Sequence, residues 1–236
     1  MPTADDRTAT HPARPRSKRG EGGGGAADDV LDQLRRRISS HALPPGSRIQ
    51  ETDLAREFDI SRARVREILG ALEQRGLIER IPNRGAVVMR LEPKEVFEIF
   101  DVREVLEGLC VRRATINAPD GAWDGLLESF GEPMRIAIEA GDIERYLDGL
   151  DEVRRAVIRW ADNDHAANFL DLIFDKARVI AQRVTLLPGR AETGRRMHVE
   201  MLQCMAGRDA EAAERLKREI IRSAREWLER YRNFVL

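Results

Sequence analysis

From Glu92-Pro93 onward the sequence reads as helix throughout, and this 145-residue stretch limits the possible folds more than any other feature. Six helical segments are expected, at about 93–117, 122–140, 142–162, 165–187, 190–206 and 209–234. Their breaks fall at Asn117-Ala118-Pro119-Asp120, Gly141-Asp142, Asp162-Asn163-Asp164, Pro188-Gly189 and Gly207-Arg208-Asp209. Amphipathic helices joined by such short turns bury their apolar stripes against one another. The expected architecture is therefore mainly α, an antiparallel bundle of about six helices. Asp162-Asn163-Asp164-His165 has the look of a ligand cluster but reads better as a helix-helix turn with caps. Met197, Met201 and Met205 recur at helical spacing and read as core.

The chain before this bundle is different. Residues 1–27, rich in Pro, Arg and Gly, carry no periodicity and read as a flexible tail. Its basic stretch "RPRSKRG" is suited to solubility, or to light contact with phosphates. Residues 28–41 form an amphipathic helix with Val30, Leu31, Leu34 and Ile38 on one face, ended by "LPPGSRI". A short helix follows over Glu51–Phe58, and Asp59-Ile60 make a turn. Ser61 is placed to cap the next helix, which runs to Gln74 and stops at Gly76. Leu77–Ile81 and Ala86–Met89 read as two short strands around the turn Pro82-Asn83-Arg84-Gly85. Three helices and a basic-tipped β-hairpin, over residues 28–91, describe a winged helix-turn-helix.

The segment "ISRARVREILGALEQRG" holds the chemistry. Val65, Ile68, Leu69 and Leu72 form its core face, while Arg62, Arg64 and Arg66 crowd its front. Arg62 and Arg66 are four apart and share a face. In a helix-turn-helix the front of the second helix meets the base edges, and a guanidinium suits guanine or a phosphate. The helix dipole favours a phosphate near Ser61 and the amides that follow. A solvated face is the competing reading. Arginines gathered at one end, rather than mixed Lys and Glu, favour DNA.

Charge and cysteine usage narrow the rest. Residues 1–91 hold 17 Lys+Arg and 13 Asp+Glu, against 23 and 28 in the remainder, so a basic front precedes an acidic back. Cys110 and Cys204 form no disulfide framework, which fits a reduced cytoplasmic compartment. There is no apolar run of membrane-spanning length and no signal-peptide core. Ser/His/Asp and Cys/His pairings on a shared face, phosphate-binding glycine loops and H-E-x-x-H are all lacking, so an enzyme is not expected.

At this level of detail the head resembles the DNA-binding domain of the GntR family of bacterial transcription regulators. The likeness lies in the "LPPG" turn, "ETDLAREF", "ISRARVRE", "L..RGLI" and the wing "PNRGAVV", in that order. It implies that Arg62 and Arg66 contact the operator, that Ser61 and its neighbouring amides hold a phosphate, and that Arg84-Gly85 reach the minor groove. Where the family has Thr and Pro, or two Thr, Ala63 and Arg64 stand here, and Arg64 adds a cation to the DNA face.

Residues 92–236 resemble the effector-binding and dimerisation (FCD) domain of the FadR subfamily. The similarity rests on "VFEIFDVREVLEGLCVRRA", "GDIERYLDGLDEVRRAVIRWADN" and "MHVEMLQCMAGRDAEAAERL", and six helices fit its VanR-like branch. Many such domains bind a divalent metal through one Asp and three His. Here those positions fall on Leu150, Arg154, His198 and Ile220, or on Asp151 and Arg155 for the first two in a frame slipped by one. A guanidinium is never deprotonated and does not ligate metal, so neither metal nor cofactor is expected. Arg103, which lines the effector pocket in the family, Arg154 and His198 would instead form an anion site suited to a carboxylate. Other readings pair Arg103 with an internal acid such as Glu107, let Arg154 reach outward, and make His198 a satisfied core histidine. The expected function is a cytoplasmic homodimeric repressor that a small carboxylate releases from double-stranded operator DNA. The alternative is an architectural protein whose bundle only dimerises.

Overall fold

The computed structural model describes residues 23–81 and 85–232. The head contains α1 (Gly23–Ser39), β1 (Arg48–Ile49), α2 (Glu51–Glu57), α3 (Arg62–Gln74), β2 (Ile78–Ile81) and β3 (Gly85–Val88). Helix α1 begins within the glycine run that the sequence reading gave to the tail, and the rest of that tail, "RPRSKRG" included, lies outside the described residues. Leu34 and Ile38 of α1 join Val65, Ile68, Leu69 and Leu72 of α3 in one core, the same apolar positions that the helical period selected.

The wing is a three-stranded antiparallel sheet in the order β1-β3-β2. The hairpin was expected, but β1 was not. It consists of two residues inside "LPPGSRI", too few to alternate, and it exists because Arg48 and Ile49 pair with Val87 and Ala86. Leu77 N–H bonds the Leu72 carbonyl at 3.0 Å and Gly76 N–H that of Glu73 at 2.9 Å, closing α3 with a Schellman turn. The left-handed φ of +64° at Gly76 allows this and aims the chain directly into β2.

The bundle comprises α4 (Pro93–Asn117), α5 (Asp124–Phe130), α6 (Glu132–Glu139), α7 (Ile143–Ala161), α8 (Asp164–Thr185), α9 (Arg190–Ala206) and α10 (Ala210–Arg230). The expected bundle of about six helices is present, with the 122–140 segment formed by two short helices that bend at Gly131. Pro133 in the first turn of α6 favours a fresh start there over a continuous helix. The Asp162–His165 cluster is a capped turn: Asp162 is left-handed and Asn163 accepts from the Ala166 amide at 3.1 Å. Met201 and Met205 are core residues.

Head and bundle share a core. Ala177, Ile180 and Val184 of α8, Ile99 and Phe100 of α4, and Ile221 and Leu228 of α10 belong to the same buried cluster as the head residues. Helix α8 is the main bridge, with one face toward the head and the other toward the bundle interior.

Candidate functional site: a basic recognition helix and a cationic cavity

The front of α3 is assembled by its cap. Ser61 is extended and accepts from the Arg64 amide at 3.2 Å, satisfying one of the free N–H groups of the first turn. Arg62 and Arg66 are both exposed on this leading edge. Arg62 has no ion pair among the described residues, whereas Arg66 pairs with Glu51 of α2 at 2.9 Å and Arg64 with Glu67 at 2.8 Å. Arg80 of β2 donates to the Arg66 carbonyl at 3.1 Å and pairs with Glu73 at 3.2 Å, fixing the wing against α3. Gly85 opens β3 with φ +78°, a conformation that disfavours any side chain. Arg84 lies outside the described residues.

Inside the bundle is a cavity of about 130 Å³. Arg103, Arg154 and His198 all line it, as do Leu150 and Ile220, so the four positions that carry metal ligands in the resembled family converge on one space. Their side chains do not fit a metal: leucine and isoleucine have no lone pair, and the guanidinium none to give. Among the described residues no three His, Cys, Asp or Glu gather into a possible metal cluster. In the slipped frame Asp151 also reaches the cavity, but Arg155 is exposed.

The three candidate effector residues have different environments. Arg103 Nε donates to Glu107 Oε1 at 2.6 Å, and Lys217 Nζ holds Glu107 Oε2 at 2.7 Å. Burial alone would raise the Glu107 pKa, but the charges of Arg103 and Lys217 and their hydrogen bonds outweigh it and hold the acid at about 2. Arg103 is thus paired internally, the arrangement set beside the anion site in the sequence reading.

His198 is buried, with Nδ1 2.8 Å from the Gly194 carbonyl. Burial, reinforced by Lys217, lowers its pKa to about 3, so the ring is neutral at physiological pH and Nδ1 carries the proton toward Gly194. Arg154 does not reach outward. Its guanidinium carbon lies 3.6 Å from the centroid of the Phe174 ring, its buried Nε has no partner, and burial lowers its pKa.

Two cavity residues escaped the sequence reading. Lys217 sits in a basic stretch of α10 whose composition carries no signal of burial. Arg190 is 6% exposed, and neither its Nε nor its Nη1 has a partner. It sits in the first turn of α9, where a cation opposes the helix dipole, and that mismatch was the available signal. Gly194 makes room for it: a Cβ there would come within 2.4 Å of Tyr146 Oη and 3.0 Å of Arg190 Nη1.

A basic helix-turn-helix joined to a ligand-sized cavity defines a class of DNA-binding regulators with a sensing domain. Comparison with known families agrees. Residues 26–88 match the family described as bacterial regulatory proteins, gntR family, and residues 98–223 match the FCD domain. The chain belongs to the GntR family of transcription regulators, in the FCD-containing FadR subfamily, and is a regulator rather than an enzyme. It is 30% identical over 186 residues to the HTH-type regulator YdhC of Bacillus subtilis, covering 78% of this chain and 82% of that one. It is 30% identical to the gluconate operon transcriptional repressor of the same organism (68% and 64% covered) and 26% identical to the repressor RspR of Escherichia coli (77% and 79%). Among solved structures, Escherichia coli McbR/YncC superposes with a TM-score of 0.76 at 20% identity, over 88% of this chain and 99% of that one. That likeness concerns the fold.

Proposed function

We propose that the protein is a homodimeric repressor that leaves its operator when a small carboxylate occupies the bundle cavity. The carrying observation is the position of α8, which touches the cavity on one side and, on the other, holds α1 and the residue that caps the recognition helix. Phe174 and Arg178 of α8 line the cavity. The next residue after Phe174, Asp175, accepts from Arg35 of α1 at 2.7 Å and from Arg75, at the end of α3, at 3.3 Å. An anion that draws Arg154 from Phe174 acts on a helix whose other face holds the head. The proposal needs two states that differ in their affinity for the ligand, and α8 is the element the ligand would bias. Some relatives are repressors by name, which supports the sign of regulation.

A homodimer is supported by α4, where Val102, Val105, Leu109 and Ile116 are 37–58% exposed at helical spacing. Two heads on a two-fold axis would read the half-sites of a short palindrome in the cytoplasm, with Ser61, Arg62, Arg64, Arg66, Arg84 and Gly85 toward the DNA. A VanR-like placement rested on helix number, and the bend at Gly131 makes that number seven when α5 and α6 are taken separately.

The test is operator affinity by fluorescence anisotropy, on a site selected from random DNA, with and without a panel of carboxylates. The expected result is a fall of at least about tenfold with one class of acid, or roughly 1.4 kcal/mol of coupling. The second reading is that the bundle only dimerises, and the internally paired Arg103–Glu107–Lys217 cluster favours it. Operator binding that no acid alters would establish that reading instead.

A further inference from the structure

The charges around the cavity do not balance. Five cationic side chains line it, Arg103, Arg154, Arg178, Arg190 and Lys217, with only two carboxylates, Glu107 and Asp151. The pairing within this set is selective. Glu107 is shared by Arg103 and Lys217, and Arg178 is held by Asp151 and Asp148. Arg154 and Arg190 are left over, each with at least one buried guanidinium nitrogen that has no hydrogen-bond partner. A buried charge without a partner is costly, and two in one cavity are hard to reconcile with a purely structural role.

The two leftover cations stand apart. Arg154 projects from α7 onto Phe174 of α8, in the field of Asp171, Glu107, Arg155 and Arg35. Arg190, in the first turn of α9, lies beside Tyr146 of α7, whose phenol burial keeps neutral. Tyr146 and Arg154 are both on α7, eight residues and about 12 Å of helix rise apart. The stretch of α7 between them gives the cavity the apolar side chains of Leu147, Leu150 and Val153. Two separated anion hooks across an apolar span match a molecule with an anion at each end and a hydrocarbon middle.

We infer that the effector is a dianion, a dicarboxylate or an equivalent two-ended acid, with one end on Arg154 and the other on Arg190. This rests on the carboxylate-responsive reading above and narrows it: a monoacid would satisfy one guanidinium and leave the other unpaired. It also assigns a binding role to Arg190 and makes Arg103 a positioning residue, held by Glu107 beside the site.

The test is isothermal titration of the full chain with the straight-chain diacids from succinate to suberate, and with the monoacids of equal length. The expected result is one diacid binding at least about 30-fold tighter than its monoacid, with Arg154→Met and Arg190→Met each reducing that diacid to the monoacid's affinity. Both ligand-free variants should melt at or above the parent temperature, because each removes an unpaired buried charge, and this shows that they fold. Equal affinity for diacid and monoacid would overturn the inference and leave the carboxylate reading standing. A diacid preference that survives Arg190→Met would overturn the assignment of Arg190. No binding by any acid of either series would sink the carboxylate reading and this inference with it.

Discussion

The buried carboxylate of Asp175 on α8 accepts from Arg75 at 3.3 Å, linking the cavity-lining helix to the residue that caps α3, a hundred positions away in the chain. Its other oxygen takes Arg35 at 2.7 Å. Asp175→Asn keeps the shape but leaves Arg35 with Asp32 alone and Arg75 with Asp171 alone. The expected cost is about 1–3 kcal/mol in urea denaturation, the range for losing hydrogen bonds between charged groups. A loss below about 0.5 kcal/mol would mean that this junction does not hold the head.

The His198 pKa predicts a specific acid sensitivity. The ring titrates near 3 in the fold and near 6.5 when unfolded, so between those values the unfolded chain binds the extra proton and stability falls as pH falls. From pH 7 to pH 5 this group alone should cost about 2 kcal/mol. His198→Asn, whose amide can still donate to Gly194, should lack that part of the slope. Urea midpoints at pH 7 and 5 for the parent and the variant measure the difference directly. Glu107 adds its own loss only lower, as pH drops from about 4.5 toward 2, because its folded-state pKa is the depressed one.

On the DNA face the arginines are not equivalent. Arg62 has no ion pair among the described residues, while Arg66 must part from Glu51 to reach a base. Arg62→Ala is expected to weaken operator binding by roughly 10- to 100-fold, the cost of about 1–3 kcal/mol for a base contact. Glu51→Gln should tighten binding by no more than about fivefold, since an exposed ion pair contributes at most about 1 kcal/mol. Anisotropy titrations at one fixed salt concentration decide both, and an unaffected Arg62→Ala would remove that residue from the interface.

If the exposed stripe of α4 is the dimer seam, Leu109→Glu should place a charge in it on both copies. Light scattering after gel filtration is then expected to show a monomer where the parent is a dimer. A variant that remains dimeric would move the seam elsewhere.

The donor set at the cavity predicts indifference to chelator. Incubation with EDTA should shift the melting temperature by less than about 1 °C, since only a ligand bound to the folded state raises it. A drop of several degrees, reversed by zinc or nickel, would place a metal on donors other than Leu150, Arg154, His198 and Ile220.

The sequence by itself determined the local features. Helical period selected the buried faces of α1 and α3, Ser61 and Gly76 marked the two ends of the recognition helix, and Pro and Gly placed the breaks of the bundle, because each depends on residues within a turn or two. Tertiary structure decided what those positions became. The two-residue strand β1 exists through its partner β3 alone. Glu107, which the i,i+4 spacing offered to Arg103, is shared with Lys217 of α10, while Arg154 and Arg190 have no ion pair among the described residues. Pairing of buried charges depends on which helices meet and at what depth, and Asp175 meets Arg75 only because α8 packs beneath the head. These are distances between remote parts of the chain, and no pattern along the chain encodes them.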